Sequence, residues 1–186
     1  MVFVAAKEQH MRALLAVLLF ASSVFAQNQT PPTVPQSACG RAEVQYDVKK
    51  DQGQHIPEAD PTKALVYVIQ DQQTVGLCLK CTITTRIGLD GSWIGANNGG
   101  SYFFFTVDPG EHHLCANWQS RYGEVSRLIG LVGFTAEAGK TYYFRSRILY
   151  FGGTGDAPYL DFDAPNPDQA QYLISISPYS ISHPKK

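Results

Sequence analysis

Residues 82–119 read TITTRIGLDGSWIGANNGGSYFFFTVDPGEHHLCANWQ, and the turn residues that divide this stretch decide the fold. Thr82 to Leu89 is rich in β-branched side chains, which suit a pleated, half-buried strand. Asp90-Gly91 follows as a two-residue hairpin signal, because Gly accepts the positive φ that such turns demand. Ser92 to Ala96 is a short return strand, Asn97 to Gly100 a second turn, and Ser101 to Val107 a strand. Asp108-Pro109-Gly110 then turns the chain into Glu111 to Gln119. Downstream, Arg127 to Ala136, the turn Glu137 to Lys140 and Thr141 to Tyr150 form a further hairpin. Tyr159 to Phe162 is a last strand, and Asn166 to Ile174 a short helix with Asn166 as cap and Pro167 at its first position. Upstream, Val44, Tyr46 and Val48 alternate at period two, while Ala64 to Gln70 is apolar on both faces, as a central strand is. Short strands with turns about every 8–12 residues predict an all-β protein, an antiparallel β-sandwich with at most one short C-terminal helix.

The chain has 186 residues, and its 15 Lys+Arg against 16 Asp+Glu leave a net charge of -1. That balance argues against nucleic acid or an anionic membrane bound through bulk charge. With 44% hydrophobic and 17% charged residues, disorder is excluded too.

Arg12 to Ala26 (RALLAVLLFASSVFA) has a basic start, an apolar run and small residues before Gln27, the pattern of a secretory signal peptide over residues 1–26. The run is short of the roughly 20 apolar residues of a membrane span, and Ser22 and Ser23 interrupt it. No stable span is therefore expected after cleavage, and Gln27 is the expected new N-terminus; Met11 is an alternative start. Residues 27–37 (QNQTPPTVPQS) form a Pro-rich linker, and residues 38–186 the single sandwich domain. The expected location is periplasmic or extracellular.

In an oxidising compartment four cysteines imply two disulfides, with three possible connectivities among Cys39, Cys78, Cys81 and Cys115. The expected pairing is Cys39 with Cys115 and Cys78 with Cys81. Cys115 lies on the strand face opposite Leu114 and Trp118, free to meet a segment from outside that strand. Cys39 stands where the linker ends and the domain needs fastening. Cys78 and Cys81 come within bonding reach if the chain turns between them.

The stretch Ile87 to Ser120, followed by Phe134 to Leu149 (FTAEAGKTYYFRSRIL), resembles a bacterial family of exported β-rich proteins of the domain-of-unknown-function kind. The order of an IGLDG hairpin, then Pro109-Gly110-Glu111-His112, then AGKTYY is also similar to PEGA-type domains. Those are small surface-associated sandwiches of the immunoglobulin or transthyretin sort. The resemblance implies a fold and a location, and carries no activity. Thr74 to Cys81 reads as a variable insertion, so its CxxC inherits no family meaning.

Glu111-His112-His113 looks at first like a metal site. Successive strand residues face opposite ways, so the two imidazoles cannot share one ion. His112 is instead expected at the core edge, tying the Pro109-Gly110 turn by a hydrogen bond. The Cys78–Cys81 motif precedes a strand rather than a helix, which removes the usual source of thiolate stabilisation. No nucleophile elbow is present, and Gly152-Gly153-Thr154-Gly155 lacks the Lys-Ser/Thr of a phosphate loop. Asp156, Asp161 and Asp163 are expected on a solvated edge.

Alternation places Phe103 and Phe105 on one strand face and Tyr102 and Phe104 on the other. One pair fills the core. The other is expected to pack beneath the C-terminal segment, with a binding platform for glycan or peptide as the alternative. No catalytic residue, cofactor or metal is expected. The function expected is a non-catalytic binding or cell-envelope-associated module for a protein or glycan ligand. A small secreted hydrolase or isomerase, and an extracytoplasmic thiol protein using Cys78 and Cys81, are the alternatives.

Overall fold

The described residues form ten strands and one helix: β1 (Tyr46–Asp51), β2 (Ala64–Gln70), β3 (Thr84–Leu89), β4 (Ser92–Asn98), β5 (Ser101–Val107), β6 (Gly110–Gln119), β7 (Ile129–Ala136), β8 (Thr141–Leu149), β9 (Tyr159–Asp163), α1 (Pro167–Ile176) and β10 (Tyr179–Pro184). The computed structural model describes residues 39–53, 55–71, 83–119, 128–149 and 158–186. The expected signal segment 1–26, the linker 27–37, the Cys78–Cys81 pair, Asp156 and the 152–155 glycine loop lie outside these residues.

The strands form a β-sandwich of two antiparallel-rich sheets, with orders β1-β10-β5-β2-β8-β9 and β4-β3-β6-β7. Val66 and Val68 of β2, Ile87 of β3, Phe103 of β5, Leu114 of β6 and Phe144 of β8 meet in the core between them. Two side-chain amides cross this interior and donate to the opposite sheet: Gln70 to the Ile83 carbonyl and Asn97 to the Val68 carbonyl, each at 2.9 Å. At one corner β7 closes tightly on β9. A Cβ on Gly130 would stand 2.6 Å from the Phe162 Cβ and 2.7 Å from Leu160 Cδ2, so only glycine lets the sheets approach here.

Two features depart from the sequence expectation. The larger sheet is not wholly antiparallel, because β2 pairs with β8, and β10 with β5, in parallel. A parallel partner needs a long crossover. Between β2 and β8 the chain passes through the smaller sheet and β5, and between β5 and β10 it passes through β6 to β9 and then α1. The second departure is β10 itself. Its residues Ser180 and Ser182 face the interior, where Ser180 bonds Ser101 and Ser182 accepts from the Ala96 amide, so the strand lacks an apolar stripe.

The crossover explains where the helix lies. Asn166 caps α1 by accepting from the Gln169 amide at 2.8 Å, and Pro167 stands in its first turn. Ala170, Leu173 and Ile174, spaced i, i+3, i+4, pack on the outer face of the larger sheet against Ile69, Tyr67 and Tyr102. That sheet is therefore buried on both faces under the helix, as the continuous apolar run of β2 demands.

Across the other sheet, residues 39–45 form a strap. Cys39 is disulfide-bonded to Cys115 with the Cα atoms 5.1 Å apart. Beside it Arg86, only 6% exposed, donates to Asn117, to the Ala42 carbonyl at 2.8 Å and to the Val44 carbonyl. Its guanidinium lies 4.4 Å from the Trp93 ring centre, and the Trp93 indole N–H donates to the Arg41 carbonyl at 2.7 Å.

Candidate functional site

The outer side of the larger sheet stays partly open next to α1. Register sets Tyr67 of β2 opposite Phe104 of β5 on one side and Tyr143 of β8 on the other. The Tyr67 ring is stacked with Tyr143 and tilted against Phe104, both at 5.5 Å between centres. Tyr102, almost fully buried, meets Tyr179 edge-on at 5.5 Å. His55, from the loop after β1, stacks on Tyr179 at 4.0 Å, while its Nε2 bonds the Asp51 carboxylate at 2.9 Å. That carboxylate also accepts from the Gly53 amide at 2.9 Å.

A cleft of about 440 Å³ opens between this loop and the end of α1, lined by Gln52, His55, Tyr67, Tyr102, Ile174 and Ser177 among others. Its size falls within the ~300–1,000 Å³ of small-ligand sites. Two more cavities, of about 330 and 550 Å³, flank Pro57–Pro61, and Pro57 borders all three. The open surface is thus a trough rather than a round pocket. Burial raises the pKa of Tyr67, Tyr102 and Tyr179, with neighbouring phenols adding to the rise at Tyr67 and Tyr179. These phenols stay neutral and able to donate at any physiological pH.

The alternation of residues 102–105 resolves as follows. Phe103 and Phe105 face the core between the sheets, while Tyr102 and Phe104 lie on the α1 side. Tyr102 is covered, whereas Tyr67, Phe104 and Tyr143 are only half-buried. Tyr142 and Phe144 join the inner core, and Trp93 sits apart against Arg86 under the strap. Tyr67 and His55 are the site residues that sequence reading did not single out. Tyr67 was hidden inside an apolar run, and His55 in a polar loop without periodicity.

The hairpin residues form a separate network. Asp90 (φ 49°) and Gly91 (φ 86°) make the two-residue turn. The Asp90 carboxylate accepts from the His113 amide at 2.8 Å and meets His112 Nδ1 at 2.7 Å; His112 Nε2 reaches the Asp108 carbonyl at 2.8 Å, before Pro109 and Gly110. Both partners of the imidazole are acceptors, so both ring nitrogens must carry protons for both bonds to exist. Burial opposes the charge on His112, but the bonds to Asp90 and Asp108 outweigh it and raise its pKa. Burial likewise opposes the Asp90 charge, yet bonds from His112 and His113 leave its pKa lowered.

The contribution of His112 is complete below its unfolded pKa of about 6.5 and fades as pH rises through the raised folded value. That of Asp90 is complete above the ordinary carboxylate range and fades as pH falls through its lowered value. The pair thus stabilises the turn most in mildly acidic solution. Stability is expected to decline as pH rises above about 6.5 and through the raised value of His112, and Asp90→Asn, which tolerates the positive φ, should flatten that decline. Histidine NMR titration should show the His112 midpoint falling in the variant; an unmoved midpoint contradicts the assignment.

Asp161 and Asp163 lie partly exposed on the edge strand β9, as expected, but they are not left to solvent alone. Register places them beside arginines of β8, where Asp163 pairs with Arg145 at 2.6 Å and Asp161 with Arg147. Their charges are taken up in a cross-strand ladder. Among the described residues no three His, Cys, Asp or Glu side chains converge as a metal site. Nor is any helix there long and apolar enough to cross a membrane. No protein-family model matches this chain, and neither a curated protein nor a solved structure does.

Proposed function

We propose that this chain is an exported, non-catalytic β-sandwich protein that binds a cell-envelope ligand along the trough beside α1. The export part rests on the signal-like pattern of residues 12–26, and the Cys39–Cys115 bond suits an oxidising compartment. Placement in the exported family that residues 87–149 resemble belongs to the same proposal.

The observation that carries the binding reading is the half-buried aromatic row Tyr143–Tyr67–Phe104 bordering a formed cleft. Aromatic rings bury large apolar area, and a protein that leaves several half-covered on one face retains a surface for a partner. Retention of the purified protein on envelope fractions is expected to fall about tenfold in Tyr67→Ala, as for an aromatic anchor in an interface. Ile129→Ser, on the outer face of the other sheet, should leave it unchanged. Equal retention of Tyr67→Ala and wild type, or turnover of a hydrolase substrate that co-purifies with the protein, overturns the reading.

A further inference from the structure

We infer that the cleft between α1 and the loop after β1 takes a neutral oligosaccharide chain, an assignment that rests on the proposed binding trough. A pyranose ring has a C–H face that wants an aromatic or apolar surface, and a rim of hydroxyls that each want both a donor and an acceptor. The cleft presents both kinds of group at close quarters. Tyr67 supplies ring surface, with the stacked His55–Tyr179 pair at the side. The Tyr67 phenol, the Gln52 amide and the Ser177 hydroxyl supply hydrogen-bonding groups that are uncharged. Only Ile56, Pro57 and Ile174 are purely apolar in the lining. A polyproline-type peptide, by contrast, is held mainly by aromatic ridges with few polar groups between them.

Charge argues the same way. Among the described residues lining the cleft there is no Lys, Arg, Asp or Glu. The nearby Asp51 carboxylate is already held by the Gly53 amide and His55. The end of α1 that faces the cleft is its C-terminal end, Ile174 to Ser177, where the helix dipole is negative and carbonyls rather than N–H groups point outward. Uronates, phosphates and acidic peptides therefore find no counter-charge here. The trough also continues past Pro57 into the two neighbouring cavities, so it accommodates a chain longer than one ring; those cavities carry Glu58, Asp60, Lys63 and Lys140, so the neutral assignment belongs to the part of the chain seated in the cleft.

The test is calorimetric titration of the full chain with linear hexasaccharides of neutral hexose and of N-acetylhexosamine, α- and β-linked. A uronate hexasaccharide and a proline-rich decapeptide are titrated in parallel. Saturable binding of a neutral member is expected. Tyr67→Phe and Gln52→Ala, which remove one hydrogen-bonding group each and leave the core intact, should weaken it about three- to tenfold. Ile129→Ser should bind as wild type does. Preference for the uronate or for the peptide overturns the neutral-saccharide inference, as does binding that both cleft variants leave untouched. If no saccharide binds while envelope retention still depends on Tyr67, the ligand class is wrong and the trough stands. If retention does not depend on Tyr67, the trough itself falls, and the inference with it.

Discussion

Replacing both Cys39 and Cys115 by serine is expected to lower the unfolding free energy by about 4 kcal/mol. The bond links residues 76 apart in sequence, and cutting it releases that loop in the unfolded chain. For a domain whose whole stability is about 5–15 kcal/mol, such a loss is large. Cys115 is fully buried, so its replacement also leaves a hydroxyl beneath the strap. Denaturant titration should show a lowered midpoint with little change in slope, and wild type under strong reductant should approach the variant. A difference below about 1 kcal/mol would mean that the strap is held by Arg86 and Trp93 alone.

The second large effect is expected at Asn117, and it is asymmetric. Arg86 is buried with its charge, and its acceptors are neutral oxygens: the Asn117 side chain and the Ala42 and Val44 carbonyls. Asn117→Leu keeps the volume but takes away the acceptor of both Arg86 Nε and its second terminal nitrogen. It also removes the bond from Asn117 to the Leu128 carbonyl. The guanidinium cannot shed its proton, so a buried charge is left short of partners, at about 3 kcal/mol. Arg86→Met replaces the charge by an apolar chain of similar reach against Trp93, and it leaves the carbonyls of the half-exposed strap to water. It should cost less. The double variant Arg86→Met, Asn117→Leu should be more stable than Asn117→Leu alone, a sign of direct coupling. Thermal melts of the three proteins decide it, and additive losses would show that the two side chains act independently.

The legible parts of this fold were those written in local chemistry. Asp90-Gly91, Asn97 to Gly100 and Asp108-Pro109-Gly110 punctuate β3 to β6 almost residue by residue, because a turn type dictates its own residues. Alternation in residues 101–107 placed Phe103 and Tyr102 on opposite faces for the same reason. What depends on distant partners was not legible. Nothing in the Val66 to Ile69 run says that its neighbour is Tyr143 in parallel register rather than an antiparallel hairpin strand. Arg86 looks like an ordinary strand cation until the strap covers it. β10 escaped because serines fill its interior positions, their polarity satisfied by Ser101 and Ala96. The candidate site failed to show for a similar reason: it is assembled from a loop histidine, a core-strand tyrosine and a helix end that only the crossover brings together.

The place of β10 has a consequence for the order in which the molecule is made. Among the described strands β1 has β10 as its sheet neighbour, pairing Tyr46 with Pro184 and Asp51 with Tyr179. The first strand thus waits for the arrival of the last described one, and the larger sheet stays incomplete until then. Such a sequence-distant contact carries a high loop-closure cost and is slow to form. A chain emerging amino end first can fold β2 to β9 and oxidise Cys39 with Cys115 while β1, held at Tyr46 by the Gln119 side chain, still lacks its sheet partner.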